Sequence, residues 1–182
     1  MENTDWMNNL QLEREQKDKY FALHPQSPIP LKNREKFNKL EYYPPNPHYR
    51  FKLKLKKHPK MERIQMIYSG GQKRQFLKWG EFLFEINGKQ HVLQAYKSNA
   101  DEGRLFIPFR DATTGTETYS AGRYLDLELE RDYTSDGKWI LDFNKAYNPW
   151  CAYNEDYTCP FVPPENWLEV PILAGEKKPL LK

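Results

Sequence analysis

From Tyr49 to Phe143 apolar residues recur at every second position, in short runs broken by turn signals, a period that fits strands and not helices. Phe51, Leu53 and Leu55 alternate with Arg50, Lys52, Lys54 and Lys56, as in a strand with one wet face. Ile64, Met66 and Tyr68 repeat the pattern before Ser69-Gly70-Gly71, and Leu77 and Trp79 follow on a third run. Phe82, Phe84 and Ile86 lead into Asn87-Gly88, a strong hairpin signal, and Val92 and Tyr96 return. Leu105, Ile107 and Phe109, then Arg123 to Arg131, then Trp139 to Phe143 complete seven or eight short strands. The expected class is mainly β, an antiparallel β-sandwich or partly closed barrel.

Both flanks lack this period. Asn3 or Thr4 can cap a helix carrying Trp6, Leu10, Tyr20 and Phe21, with Glu13, Arg14, Glu15, Lys17, Asp18 and Lys19 on its solvated face. His24-Pro25 ends it, and a second helix is predicted from Leu31 to Leu40, opened by Pro30. Downstream, Asp142 to Glu176 holds both cysteines, five prolines and four asparagines, and no periodic pattern. So long an irregular stretch inside a folded chain is uncommon, and when ordered it is often functional. The expected layout is one domain, 1–182: a helical segment over 1–40, a sheet over 49–143 and an irregular covering segment over 144–182.

Composition sets further bounds. Hydrophobic residues make up only 38% of the 182, but 15% are aromatic and bury large areas. The 28 basic residues nearly balance 25 acidic ones, which speaks against a nucleic-acid partner. The basic run Arg50 to Lys60 alternates as a solvated strand face does. No apolar run can cross a membrane, and no apolar leader opens the chain, so a cytoplasmic protein without a membrane partner is expected. Glycine-rich phosphate loops, HExxH and the dinucleotide fingerprint are absent, and no further ligands accompany the cysteines; no cofactor or metal is expected.

Arg123 falls in register with Leu125, Leu127 and Leu129, and an arginine in a core face needs a partner. It either forms a buried pair with a carboxylate such as Asp111, Asp142 or Glu165, pinning the C-terminal segment, or it clamps an anion. Arg110 and Asp111 precede the turn at Ala112 to Gly115, and Tyr119 follows it. Asn144, Tyr147, Asn148, Tyr153 and Asn166 add amides and phenols within the irregular segment. Cys151 and Cys159, with seven residues between them, read as ordinary thiols, then as a disulfide, then as reactive chemistry. Cys151 as a nucleophile needs a histidine or cation, and His48 is the histidine best placed to reach it.

Two blocks, RDATTGTETYSAGRYLDLE and LDFNKAYNPWCAYNEDYTCPFVPPENWLEVPILAGEK, resemble the prokaryotic family catalogued as domain of unknown function 1684. SPIPLKNREKFNKLEYYPPNPHYRF is similar to its N-terminal part. The resemblance implies a domain of bacteria and archaea with no assigned activity. It also implies exported relatives in which the two cysteines could pair. Trp150 stands where the family pattern leads one to expect a second proline.

The function expected first is binding of a small molecule, anions included, between the sheet and the C-terminal segment, with Arg123 as anchor and Arg110, Asp111, Tyr119, Asn144, Tyr147, Asn148, Tyr153 and Asn166 around it. One alternative is a hydrolase or transferase using Cys151 or the carboxylates Asp142 and Glu165. Another is a protein-interaction module anchored by Trp150, Phe161 and Trp167, and a homodimer is retained as a candidate partner.

Overall fold

The computed structural model describes residues 2–180. Helix α1 (Glu2–Leu23) and the short α2 (Leu31–Arg34) precede strands β1 (Arg50–Leu53), β2 (Lys56–Ile67), β3 (Lys73–Ile86), β4 (Lys89–Lys97), β5 (Arg104–Phe109) and β6 (Arg123–Glu128). A helical turn, α3 (Leu129–Asp132), leads to β7 (Trp139–Asp142). Strands β2 to β6 form a five-stranded antiparallel meander in sequence order, while β1 and β7 pair separately, Arg50 opposite Asp142. The fold is sandwich-like, and its sheets do not close into a barrel.

Alternation explains the core. Phe82, Phe84, Leu93, Leu105, Ile107, Phe109, Leu125 and Leu127 project from one face of the meander onto Leu141 and Phe143 of the smaller sheet and its exit, with Ile172 and Ala174 of the C-terminal segment among them. Phe143 lies at its centre, its ring 5.3–6.1 Å from those of Phe109, Phe84 and Phe51. Residues of the opposite parity, Met66, Tyr96, Phe106 and Tyr124, pack against Val162. The middle of the meander is therefore covered on both faces.

Several local expectations are corrected. The runs at Leu77 and Phe82 belong to one strand, β3, whose register shifts at a bulge between Lys78 and Gly80. Strand β6 ends at Glu128, where Leu129 to Asp132 turn helical. The helix expected to reach Leu40 stops at Arg34. Helix α1 is described from Glu2, so Asn3 and Thr4 lie within its first turn.

The supposedly solvated face of α1 docks it. Arg14 is buried and donates to the Tyr43 and Asn144 carbonyls at 3.0 and 3.2 Å, its guanidinium 4.3 Å from the Tyr42 ring centroid. Lys17 pairs with buried Glu176 at 2.5 Å, Asp18 accepts the Leu40 N–H at 2.8 Å, and Trp6 donates to Asp142 at 2.8 Å. A hydropathy pattern cannot distinguish such polar anchors from a wet face.

Candidate functional site

The C-terminal segment is pinned by buried polar side chains, most of them expected above to meet a ligand. Arg123 is fully buried. One terminal nitrogen donates to the Ala174 and Glu176 carbonyls at 2.5 and 3.0 Å, the other to Asp111 Oδ2 at 2.9 Å and the Ile172 carbonyl at 3.0 Å. Asp111 Oδ1 accepts from the Thr113 N–H and hydroxyl at 2.8 and 2.5 Å and from the Ile172 N–H at 3.3 Å. The buried-pair alternative is the one realised, with Asp111 and not with Asp142 or Glu165. Arg123 and Asp111 hold the chain's own backbone, so the anion-anchor reading of Arg123 is corrected.

The amides behave alike. Asn166 bridges Gln94 and Pro108, accepting the Gln94 N–H at 2.7 Å and donating to both carbonyls at 2.9 and 2.7 Å. Asn144 exchanges two hydrogen bonds with the Asn46 backbone at 2.8 and 2.9 Å. Asn148 donates to the Lys177 carbonyl at 2.7 Å, and Tyr153 donates to Glu176 at 2.9 Å. These four side chains are buried and engaged with the chain. Tyr147 donates to Asp126 at 2.6 Å; burial holds the Asp126 carboxyl above its usual range. Asp142 and Glu165 share neither a partner nor a cavity: Asp142 accepts from Trp6 and Asn144, Glu165 from Tyr96 at 3.0 Å and Lys78 at 3.3 Å. The carboxylate pair is not assembled.

Tyr119 and Cys151, in contrast, meet in an open cleft, and Cys159 joins them. Tyr153, Asn154 and Tyr157 bond back to Trp150, Trp150 and Asn154, folding the chain so that Cys151 N–H points at Cys159 Sγ, 3.4 Å away. Beyond the loop, the segment pairs with the end of β2: Ser69 N–H donates to the Cys159 carbonyl at 3.0 Å and Phe161 N–H to the Ile67 carbonyl at 2.8 Å. Tyr124 from β6 anchors the same stretch by donating to the Pro160 carbonyl. The result is a cleft of about 270 Å³, with Tyr119, Tyr124, Cys151, Glu155, Tyr157 and Cys159 among its walls.

Gly122 follows Ala121, a wall residue of the cleft, and packs against the covering segment. Its φ is +96°, and a Cβ there would lie 2.6 Å from the Phe109 carbonyl and 2.8 Å from Val162. A side chain at this position would push the covering segment off the sheet.

The thiols are half-buried and free. The Cys151 thiol beside it and the Cys151 N–H lower the pKa of Cys159 to about 7, against the opposing effect of burial. The same contact with Cys159, together with burial, raises that of Cys151 far above the ordinary thiol range. Tyr119 hydroxyl lies 3.9 Å from Cys151 Sγ, and burial beside the thiols pushes it up to about 12. The Cys151 N–H aimed at Cys159 Sγ therefore favours Cys159 as the thiolate of the pair. No histidine lines the cleft; His48 sits in the turn at Pro47–Tyr49, and His58 bonds Gln94 at 2.7 Å. The sequence singles out Cys151, whereas the amide donor that favours a thiolate faces Cys159. Reading Cys159 from sequence would have required foreseeing the reversal at Asn154 to Tyr157, which brings its sulfur to the Cys151 amide.

Arg110 lies next to this cleft. Its guanidinium sits 4.8 Å from the Trp167 ring centroid, in a hollow of about 280 Å³ whose walls include Ala121 and Phe161, which also line the thiol cleft. Trp150, Phe161 and Trp167 are all exposed, by 37%, 48% and 53%.

A family model described as "Protein of unknown function (DUF1684)" matches residues 35–177. The chain is also similar to an uncharacterized protein of Haloarcula marismortui solved by solution NMR, with 39% identity and a TM-score of 0.75 over 98% of this chain and 97% of that one. No curated protein matches.

Proposed function

Because the chain belongs to the DUF1684 family, whose description names no activity, we propose a function from the cleft: it binds a small molecule between the sheet rim and the C-terminal segment, against the Cys159 thiolate. The observation that carries this reading is the pair of free thiols in contact within a walled cleft. A thiolate near neutral pH is a soft nucleophile that meets electrophilic carbon or sulfur, and the tyrosines beside it suit an apolar or planar ligand body. Hydrolysis by an acyl-enzyme route is supported less, because that chemistry needs a base beside the thiol and no histidine lines the cleft. A reducing, cytoplasmic setting fits the reading, since it keeps both thiols available.

Alkylation by iodoacetamide at pH 7, followed by peptide mass analysis, tests it. Cys159 in the native protein should react faster than in the urea-unfolded chain, by about threefold once the gain in thiolate is offset by its lower intrinsic nucleophilicity. Cys151 should lag behind it. Native thiols that both react more slowly than unfolded ones would reject the reading. Native mass spectrometry of the freshly purified protein, before and after that alkylation, then reports whether a bound molecule is displaced.

A further inference from the structure

We propose that Cys159 and Cys151 form a nucleophile and resolving pair for thiol–disulfide exchange, and that Arg110 on its Trp167 ledge selects low-molecular-weight disulfides bearing a carboxylate. The inference rests on the cleft reading above and names its substrate class.

Three features lead there. The two thiols lie close enough for Cys151 N–H to point at Cys159 Sγ, and both are partly open to the cleft. Disulfide exchange needs neither a general base nor an oxyanion hole, only a thiolate and a leaving thiolate, which fits a cleft without histidine. Finally, the Arg110 guanidinium makes no hydrogen bond or ion pair among the described residues, whereas Arg14, Arg104, Arg123 and Arg131 are all engaged with the chain. Stacked on an indole, a guanidinium keeps its in-plane donors for a planar anion. Ala121 and Phe161 are walls common to the thiol cleft and the Arg110 hollow, so one ligand can span both.

The chemistry balances in two steps. Cys159 thiolate attacks one sulfur of the disulfide R–S–S–R; the Cys159–S–R bond forms, the S–S bond breaks, and RS⁻ leaves with the electron pair. The Cys159 negative charge that held the Cys151 proton is then gone, and Cys151 ionises more readily. Its thiolate attacks Cys159 Sγ, forming the Cys151–Cys159 bond and expelling the second RS⁻. Overall the protein dithiol is oxidised by two electrons and the small disulfide is reduced to two thiols, each leaving thiolate taking up one of the protons released.

The test mixes the reduced full-length chain with dithiodiglycolate, which is dianionic, bis(2-hydroxyethyl) disulfide, which is neutral, and cystamine, which is dicationic. Each rate is divided by that of the same reagent with the urea-unfolded chain, which removes differences in leaving-group chemistry. The expected order is anionic, then neutral, then cationic, with the anionic reagent favoured over the neutral one by about tenfold, as for one charge-assisted pair. In Arg110→Gln that ratio should fall towards one. Cys151→Ser should stop at a mixed disulfide on Cys159, visible as one added half-reagent, while the unmodified chain proceeds to the internal disulfide and Cys159→Ser does neither. A charge preference unmoved by Arg110→Gln, or an adduct that forms on Cys151 in Cys159→Ser at the unmodified chain's rate, overturns the proposal. Fast alkylation of Cys159 combined with exchange no faster than in the unfolded chain overturns this inference alone. Slow alkylation together with slow exchange removes the cleft reading as well.

Discussion

Removing the Arg123 side chain would leave Asp111 as a carboxylate sealed in the interior, with its remaining donors unable to offset an unpaired charge. Arg123→Met should therefore lower stability by about 3–5 kcal/mol, read from urea unfolding, whereas Arg123→Met combined with Asp111→Leu should recover part of the loss. The thiol pair makes a prediction in pH. Cys159 has a folded pKa of about 7, lowered from the ordinary thiol range, so the folded state binds fewer protons than the unfolded chain between there and about pH 9. Stability from this group grows across that window and is lost as pH falls through 7. Cys151 is raised, so above about pH 9 it works in the opposite sense. The urea midpoint of the reduced protein minus that of a Cys151→Ser, Cys159→Ser variant should thus peak between pH 8 and 9. Tyr119 and Tyr124, held above their ordinary range chiefly by burial, stay protonated across this window. A flat difference would show that the two thiols do not share a charge.

At the scale of elements, β4 and β5 are tied to the covering segment by Asn166. The chain bridges Arg110 to Trp167, and the Asn166 amide closes onto Gln94 and Pro108. Asn166→Ala would leave the Gln94 N–H and two carbonyls buried and unpaired, at a cost of about 3 kcal/mol or more in urea unfolding. A loss below about 1 kcal/mol would mean that water replaces the amide. The two-residue turn at Asn87-Gly88 and the alternation of β5 were legible in the sequence because each is a local property. The bulge in β3 was not, because the runs on either side of it look like separate strands when the shared partner, β4, is unknown. The early end of α2 has the same origin: Leu40 is buried against Phe21 and Ile29 by tertiary packing and not by helical periodicity.

For the whole molecule, helix α1 and the last residues of the covering segment form one polar assembly. Glu176 is buried and takes Lys17 from the helix, Tyr153 and the Asn148 N–H, and Arg14 spans from the helix to the Tyr43 and Asn144 carbonyls. A chain lacking residues 1–24 should keep slow amide exchange in β5, while the amides of Glu176 to Lys178 exchange faster. Equal protection of those amides in both chains would show that the helix is dispensable to the segment. No helix among the described residues is long and apolar enough to cross a membrane.

The sequence by itself determined the β class, the hairpin at Asn87-Gly88 and the existence of an ordered irregular segment, because alternation, turn chemistry and proline content act over a few neighbouring residues. It also marked Arg123 as a residue in need of a partner, since no arginine lies unpaired on a core face. Tertiary structure decided which carboxylate answered it, which polar residues of α1 were anchors, and that the Cys151 amide faces the Cys159 sulfur. Each of those outcomes depends on distances between residues far apart in the chain, and desolvation and hydrogen bonding respond to distance, not to residue order.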